Sequence, residues 1–185
     1  MQGFSRAGSI SNMIDFSKKF AEERWISIME LNDTTDYQLC FACGTKNPYG
    51  LQMVFQLEAG TVVSDFRPRE EHQGFPGVVH GGIIATVMDE ALNRTSMLTE
   101  RPAWSMTGRL EVRYRRYVPY GPLLRVRAVL GSSRGRMVTA TGKLTLAEDE
   151  SVVFAEASGT FMTLSQETID QVMKEFPGMR AALES

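Results

Sequence analysis

The sequence predicts an α+β fold in which an antiparallel sheet curves around one central helix. Apolar and polar residues alternate in several short segments, which is typical of half-buried strands: residues 51–58, 61–66, 109–114, 123–130, 138–146 and 152–161. One segment, residues 82–98, instead has apolar residues at helical spacing, with small residues filling much of the rest. Runs of strands that follow one another favour an antiparallel sheet, and a helix this apolar needs cover on more than one side.

Turn sequences separate the elements in the predicted order of strand, strand, helix and four strands. Ala59-Gly60 predicts a hairpin between the first two strands. A Gly/Pro-rich loop at residues 72–77 precedes the helix, and further turns fall at residues 119–122, 131–135 and 148–150.

Length and composition indicate one folded domain with additions at both ends. A chain of 185 residues with 43% apolar and 23% charged residues can bury one full core. We expect this domain at residues 37–165, after a helical extension at 1–36 and before a helical tail at 166–185. Apolar residues recur at helical spacing within 16–31, and Pro177-Gly178 interrupts the predicted tail helix, 167–183.

The chain is predicted to be a cytoplasmic protein without a membrane-spanning segment. No apolar run approaches the ~20 residues that cross a bilayer. The start of the chain, MQGFSRAGSISNM, lacks the apolar segment of a signal peptide. Two cysteines in a chain of this size argue against a disulfide-built secreted scaffold.

Positive charge is concentrated between residues 101 and 136. This stretch has nine arginines, no lysine and one acid, a charge of +8, so the rest of the chain carries −10 to give the net −2. One interpretation is a solvated sheet face paired with acids elsewhere; another is that a few arginines contact ligand phosphates, which suit the planar guanidinium. No recognition-helix or ribonucleoprotein motif supports a nucleic-acid partner.

The helix start and one carboxylate within the helix are the strongest chemical signal. His80-Gly81-Gly82 opens the helix, where unpaired backbone amides and the helix dipole make an oxyanion hole possible and glycines allow a ligand carbonyl to come close. Asp89 lies in an otherwise apolar helix, where desolvation raises the pKa and basicity of a carboxylate. The alternative is that Asp89 only bonds a neighbouring hydroxyl. Glu90 points about 100° away and is expected to form an ion pair.

One helix cannot bring these two groups to a single carbonyl carbon. Eight residues at about 1.5 Å each separate Gly81 from Asp89 by about 12 Å, whereas a reacting carbon must lie roughly 3 Å from both groups. Two antiparallel copies can meet this requirement across a twofold axis. A catalytic role for the motif therefore predicts a homodimer with two interfacial sites.

Cys40 and Cys43 form a single CxxC pair. A zinc site would need two more ligands, and the chain offers only His72 and His80. A redox pair would lack the βαβ setting of thioredoxin-like proteins. We therefore expect a turn with two half-buried thiols, and no metal.

Two segments, EEHQGFPGVVHGGIIATVMDEA and TGRLEVRYRRYVPYG, resemble the hotdog-fold acyl-CoA thioesterases of the phenylacetate-pathway (PaaI-like) type. The upstream segment CFACGTKNPYGL resembles one found in many of that group, and the likeness covers about residues 37–164. The resemblance implies a sheet wrapped around one helix, homodimers that often pair into homotetramers, and hydrolysis of an acyl-CoA thioester without a cofactor.

The resemblance also implies roles for individual residues. Asp89 matches the catalytic carboxylate, which acts as general base or nucleophile, and the Gly81 amide matches the oxyanion donor. His80 matches a histidine that braces the loop, and Thr107 a hydroxyl that helps to place the water. Some relatives have an asparagine where this chain has Gly74, and Gln73 is a possible substitute.

Coenzyme A would give the arginines a phosphate partner. The candidate substrate-binding residues are Gly82, Gln73, Asn47, Arg115, Arg116, Arg134 and Arg136. Asn47 either caps its loop or lines the acyl tunnel. The alternatives to a thioesterase are a non-catalytic acyl-CoA-binding or sensor protein and an enoyl-CoA hydratase. A hydratase usually needs an Asp and a His at one water, and no histidine follows His80.

Overall fold

The computed structural model describes residues 39–99 and 104–175. The predicted extension at 1–36 and the last ten residues of the predicted tail lie outside the described residues. The helices and strands are β1 (Phe55–Glu58), β2 (Thr61–Phe66), β3 (Gln73–Phe75), β4 (Val78–Val79), α1 (Gly81–Arg94), β5 (Ser105–Tyr114), β6 (Leu124–Arg134), β7 (Met137–Leu146), β8 (Val153–Thr163) and α2 (Gln166–Glu175).

Six strands form one antiparallel sheet in the order β1-β2-β6-β7-β8-β5. The chain leaves β2, passes through α1 and returns as β5 at the opposite edge of the sheet. α1 packs against β2, β5, β6, β7 and β8. The predicted α+β architecture, with a curved antiparallel sheet around one helix, is therefore confirmed.

The first strand begins later than the alternating pattern predicts. Leu51, Met53 and Phe55 are buried as the alternation requires, but Gln52 has a φ of 52°, so the backbone is not extended there. The amides of Leu51 and Met53 instead donate to the carbonyls of Phe41 and Ala42, 2.8 and 2.9 Å away. This part of the chain therefore pairs with the preceding loop rather than with the sheet.

Other boundaries also differ from the predicted ones, and β6 continues to Arg134 through most of the turn predicted at 131–135. The α-helix ends at Arg94, and residues Thr95–Leu98 continue as a 3-10 turn. The predicted 72–77 loop contains β3, which pairs with β4 just after the loop, and a Gly/Pro-rich composition does not reveal this pair. The strand predicted at 109–114 begins at Ser105, because its first residues pair with the end of β8.

The core lies between α1 and the concave face of the sheet. Ile84, Val87, Met88, Ala91 and Leu92 of α1 are almost fully buried. The sheet has glycines where Leu92 approaches it most closely: a Cβ built on Gly142 would lie 2.7 Å from Leu92 Cδ1, and one built on Gly159 would lie 3.4 Å from Leu92 Cδ2. These glycines let the helix sit close to the sheet.

The first hairpin has the predicted turn. Ala59 and Gly60 have φ angles of 48° and 81°, so both central residues are left-handed, as in the type I′ turn that matches strand twist.

A bulge in β5 decides which of its side chains face the helix. β5 pairs with β8 in register up to Thr107, and the register shifts between Thr107 and Arg109. The extra residue, Gly108, moves the helix-facing positions from odd to even numbers. Ser105 and Thr107 before the bulge, and Tyr114 after it, therefore all contact α1.

No helix within the described residues is long and apolar enough to span a membrane.

Candidate active site

The first turn of α1 is held by its own N-cap residue. His80 has an extended backbone, and its Nδ1 atom accepts the N–H of Gly82 at 2.9 Å. The N–H of Gly81, the first helical residue, has no acceptor among the residues described. A Cβ at Gly81 would make only ordinary contacts with the Tyr114 ring. Gly81 therefore presents a free donor at the positive end of the helix dipole.

Asp89 lies half-buried two turns further along the same helix. Its Oδ1 atom accepts a hydrogen bond from Thr107 Oγ1 at 2.9 Å. Desolvation raises the pKa of the Asp89 carboxyl, the Thr107 hydrogen bond opposes this rise, and the charge of Glu90 adds to it. The carboxylate is thus more basic than an exposed aspartate and is held in one orientation.

β5 positions three points along α1. Asn93 Nδ2 donates to the Ser105 carbonyl at 3.1 Å, and Ser105 Oγ donates to Asn93 Oδ1 at 2.9 Å. Thr107 contacts Asp89 in the middle, and the Tyr114 hydroxyl donates to the Gly81 carbonyl at 2.8 Å. Ser105 and Tyr114 were not predicted from the sequence. Only the bulge brings both odd-numbered and even-numbered residues of one strand to the helix. Gly108 was the available signal.

The described protomer keeps Gly81 and Asp89 apart. They lie eight residues from each other on one straight helix, which corresponds to about 12 Å. Thr107 accompanies Asp89, whereas His80, Gly82 and Tyr114 accompany Gly81. A single protomer therefore holds two half-sites, one with the carboxylate and one with the free amide.

The β3–β4 loop beside the helix start is braced internally. Gln73 Oε1 accepts the N–H of Gly77 at 3.1 Å, so only the NH₂ group of this carboxamide is left for a ligand. A Cβ on Gly74 would lie 3.0 Å from His80 Cδ2, so a side chain at Gly74 would press on the N-cap residue. The packing of His80 thus accounts for the glycine that this chain has at position 74.

His72 supports the same loop from within the fold. It is buried and stacked on Phe66, and its Nδ1 atom accepts the N–H of Arg69 at 3.1 Å. Desolvation lowers the pKa of His72, and the positive charge of Arg69 lowers it further. His72 is therefore a neutral bracing residue with no contact to Asp89 among those described.

Several arginines of the positive stretch form ion pairs on the sheet surface. Arg109 pairs with Glu111, Arg115 with Glu156, Arg125 with Asp65, and Arg127 with both Glu58 and Glu150. Arg136 donates from Nε to the Thr163 carbonyl at 2.9 Å. In the described part of the chain, Arg116 and Arg134 have no acidic partner within salt-bridge distance. Of the four arginines predicted to bind phosphate, these two are therefore the freest.

Asn47 is used within its own loop. Its Nδ2 atom donates to the Leu39 carbonyl at 3.0 Å, and its Oδ1 atom accepts the N–H of Tyr49 at 3.0 Å. These bonds favour the capping interpretation over a position in an acyl tunnel.

The two cysteines of the same loop are free and lie against α1. The Cys40 and Cys43 sulfurs and a carboxylate oxygen of Glu90 all lie within 4.8 Å of one another. Arg94 Nη2 lies 2.8 Å from Glu90 Oε1 and 3.0 Å from Cys43 Sγ. The expected ion pair of Glu90 is present, and the guanidinium supplies the positive charge that a metal ion would otherwise bring to this cluster.

Comparison with known proteins finds one family that is similar to the helix and its neighbouring strands. Residues 76–153, which include Gly81, Asp89 and Thr107, match the family model described as the thioesterase superfamily. The predicted hotdog fold agrees with solved members: a thioesterase superfamily protein, RHA08564, aligns with a TM-score of 0.61 and 28% identity over 76% of this chain and 66% of that chain.

The curated relatives that this chain matches are longer than the chain itself. Human acyl-coenzyme A thioesterase THEM5 is 25% identical over 74% of this chain and 55% of its own length. Mouse acyl-coenzyme A thioesterase THEM4 is 26% identical over 83% of this chain and 64% of its own length. The chain thus spans between about half and two thirds of the length of these relatives.

A further solved structure shares the fold of this chain. Zebrafish thioesterase superfamily member 2 aligns with a TM-score of 0.59 and 21% identity, over 72% of this chain and 98% of that chain. Its near-complete coverage indicates that the described sheet and helix contain the whole common fold.

Proposed function

We propose that this protein hydrolyses acyl-CoA thioesters to the free acid and coenzyme A. The observation that carries the proposal is Asp89, a half-buried carboxylate whose pKa is raised and which Thr107 orients, on the helix that begins with the free N–H of Gly81. The names of the relatives THEM4 and THEM5, both acyl-coenzyme A thioesterases, support the same substrate class. A solved structure of the same fold, from Streptococcus mutans, is described as bound to acetyl CoA.

The proposal requires a homodimer in which each site takes its two halves from different subunits. An antiparallel partner helix would set its Gly81 against Asp89 of the first chain. Within one chain these two residues are about 12 Å apart and cannot meet. The edge strand β5 supports such a contact. It is ten residues long, carries Thr107 and Tyr114, and has no strand partner on its outer side among the described residues. Its Met106 and Tyr114 are exposed by 64% and 51%. A further pairing of dimers into a tetramer is an extension of this proposal.

Hydrolysis then follows from the chemistry of the two halves. Asp89 takes a proton from water, the hydroxide attacks the thioester carbon, and the Gly81 N–H donates to the oxyanion that forms. Collapse of this intermediate expels the coenzyme A thiolate. Alternatively, Asp89 attacks the thioester directly and water then hydrolyses the resulting anhydride. Thr107 orients the carboxylate in both routes.

The phosphates of coenzyme A are assigned to the positive surface. Arg116 and Arg134 are exposed and have no acidic partner in the described regions, so they can bind phosphate without breaking an ion pair. Arg115 and Arg136 are weaker candidates, because Glu156 and the Thr163 carbonyl already engage them. Such contacts weaken as ionic strength rises. The free thiols of both cysteines fit a reducing compartment, so the proposal includes a cytoplasmic location.

The test is release of free thiol from a panel of acyl-CoAs. We expect turnover by the wild-type protein, and a fall of about 10²–10⁴-fold for Asp89→Asn, the range for a positioned base. Asp149→Asn, which removes an exposed carboxylate in the β7–β8 turn, is the matched control and should keep full turnover.

Three results would contradict the proposal. Wild-type turnover by Asp89→Asn would remove Asp89 from the chemistry. Tight acyl-CoA binding without thiol release would favour the sensor alternative. Hydration of an enoyl-CoA without thiol release would favour the hydratase.

A further inference from the structure

The loop before β1 brings two thiols together on the side of α1. Cys40 is half-buried, whereas Cys43 is only 2% exposed. The amide of Gly44 donates to the Cys40 carbonyl at 2.9 Å, which folds the CxxC segment into a turn and places both side chains on the helix. Their sulfurs lie within 4.8 Å of each other and of the Glu90 carboxylate.

We propose that Cys40 and Cys43 form a reversible dithiol–disulfide site that exchanges with small-molecule disulfides such as oxidised glutathione. Cys40 is the attacking sulfur, because it is the accessible member of the pair. Cys43 is the resolving sulfur, and Arg94 is the cation that stabilises its thiolate. These are the only two cysteines in the chain, so no other protein thiol competes for this pairing.

The turn allows the bond to form with little movement. A disulfide has a sulfur–sulfur distance of about 2.05 Å and needs Cα atoms about 4.4–6.8 Å apart. Residues three apart in a closed turn meet the second condition. The two sulfurs lie within 4.8 Å of each other, so rotation of the two side chains can bring them to bonding distance while the backbone stays in place.

Arg94 makes the cluster better suited to thiolate chemistry than to a metal ion. Its guanidinium is buried and lies between Glu90 and Cys43. A divalent cation at the same point would face this positive charge at close range. A thiolate at Cys43 would instead gain a charge-assisted hydrogen bond.

The exchange proceeds in two balanced steps. The Cys40 thiolate attacks one sulfur of the small disulfide, forms a mixed disulfide and releases one small thiolate. The Cys43 thiol gives its proton to that thiolate or to water, and the Cys43 sulfur then attacks Cys40 and expels the second small thiol. The two protein thiols are oxidised by two electrons, and the small disulfide is reduced.

The protonation of the pair suits this order of events. A hydrogen bond from Cys43 lowers the pKa of Cys40 to about 6, while burial and the charge of Glu90 oppose this fall. The same hydrogen bond and burial raise the pKa of Cys43. Once Cys40 is in a mixed disulfide, its negative charge no longer raises the pKa of Cys43. The charge of Arg94 then favours the Cys43 thiolate against burial and the charge of Glu90, which still raise this pKa.

The experiment exposes the reduced full-length protein to oxidised glutathione at neutral pH and follows its intact mass. We expect the wild-type protein to lose two hydrogens per chain, to lose both titratable thiols, and to regain them with dithiothreitol. Cys43→Ser should stop at a glutathione adduct on Cys40. Cys40→Ser should form at least about tenfold less glutathione adduct in the same time, because its remaining thiol, that of Cys43, is buried.

Two results would overturn the proposal. One is a wild-type protein that keeps both thiols, or that holds a stable glutathione adduct. This comparison is made at a concentration of oxidised glutathione that converts Cys43→Ser fully to its adduct. The other is stoichiometric zinc that binds the reduced protein and protects both thiols from titration. Both readouts are independent of thioester hydrolysis, so their failure leaves the proposed function untouched.

Discussion

Gly81 presents a backbone donor that neither the helix nor its N-cap residue uses. As the first residue of α1 it has no intrahelical acceptor for its N–H, and His80 caps Gly82 rather than Gly81. A carbonyl oxygen that approaches the helix start therefore meets one unpaired donor. Because the amide belongs to the backbone, only a residue without an N–H can remove it.

Gly81→Pro should lower turnover strongly while the fold remains. Proline is favoured at the first helical position, and the extended backbone of His80 suits a residue before proline. We expect kcat to fall by about 10²–10³-fold, the usual effect of losing one oxyanion donor.

Gly81→Ala is the matched control for this donor. It keeps the N–H, and its Cβ would lie 3.5 Å from the Tyr114 hydroxyl, an ordinary contact. Circular dichroism checks that both variants fold. Equal turnover by Gly81→Pro and wild type would remove the amide from the mechanism.

The pH dependence of turnover should report the environment of Asp89. Burial raises the pKa of this carboxyl, and the reactive form is the deprotonated one, so kcat/KM should fall as pH drops through a value above the ordinary range of an aspartate. Thr107→Val removes the hydrogen bond that lowers this pKa, so it should move the acid limb to higher pH.

Thr107→Ser keeps the hydroxyl and should leave the acid limb where the wild type has it. Rates over a pH series with one acyl-CoA give both profiles. An acid limb that Thr107→Val leaves unmoved would mean that Asp89 does not govern it.

At the scale of elements, β5 sets the geometry of the helix that it accompanies. Its contacts fasten Asn93, Asp89 and the carbonyl of Gly81 to one strand. Without the bulge at Gly108, the positions after it would alternate in the opposite sense, and Tyr114 would face away from α1. The bulge thus lets one strand position both half-sites.

Tyr114→Phe tests this positioning role. It removes one hydrogen bond to the Gly81 carbonyl, worth about 0.5–1.5 kcal/mol, and should loosen the first turn of α1. We expect kcat to fall by up to about tenfold with little change in KM, because the ring and its packing stay.

Tyr117→Phe removes a hydroxyl from a ring that is 75% exposed and should have no such effect. Steady-state kinetics of both variants decide the matter. If Tyr114→Phe changed only KM, Tyr114 would contact substrate rather than position Gly81.

At the scale of the whole molecule, the proposed site is formed by a pair of chains. The half with Asp89 and the half with Gly81 lie too far apart in one protomer to act on the same carbon. A dimer through the β5 edge would unite them twice. The two subunits should therefore depend on each other for activity.

Mixed dimers of two inactive variants test this dependence. In a heterodimer of Asp89→Asn with Gly81→Pro, one site combines both defects, and the other combines the intact Asp89 with the intact Gly81. We expect two differently tagged variants, purified together after coexpression, to recover about half of the wild-type turnover per dimer. Homodimers of each variant are the controls. A heterodimer as inactive as its parents would place each site within one chain.

The sequence alone was sufficient to predict the order of elements and the central helix, because alternation of period two and helical periodicity are local properties of the chain. It also indicated Asp89 as a candidate catalytic residue, because Asp89 is an acid in an apolar helix. It predicted an ion pair for Glu90, because helix geometry turns Glu90 to a different face from Asp89, and Arg94 is the partner. The Ala59-Gly60 hairpin was predictable for the same local reason.

Tertiary structure decided the features that depend on residues far apart in the chain. The amides of Leu51 and Met53 bond to an earlier loop, which sequence periodicity cannot reveal. The bulge in β5 is defined by its pairing with β8, and it alone brings Ser105 and Tyr114 to α1. The meeting of Cys40, Cys43 and Arg94 likewise joins a loop to a helix some fifty residues later. Local pattern gives each element its type, but only packing between elements decides which side chains meet.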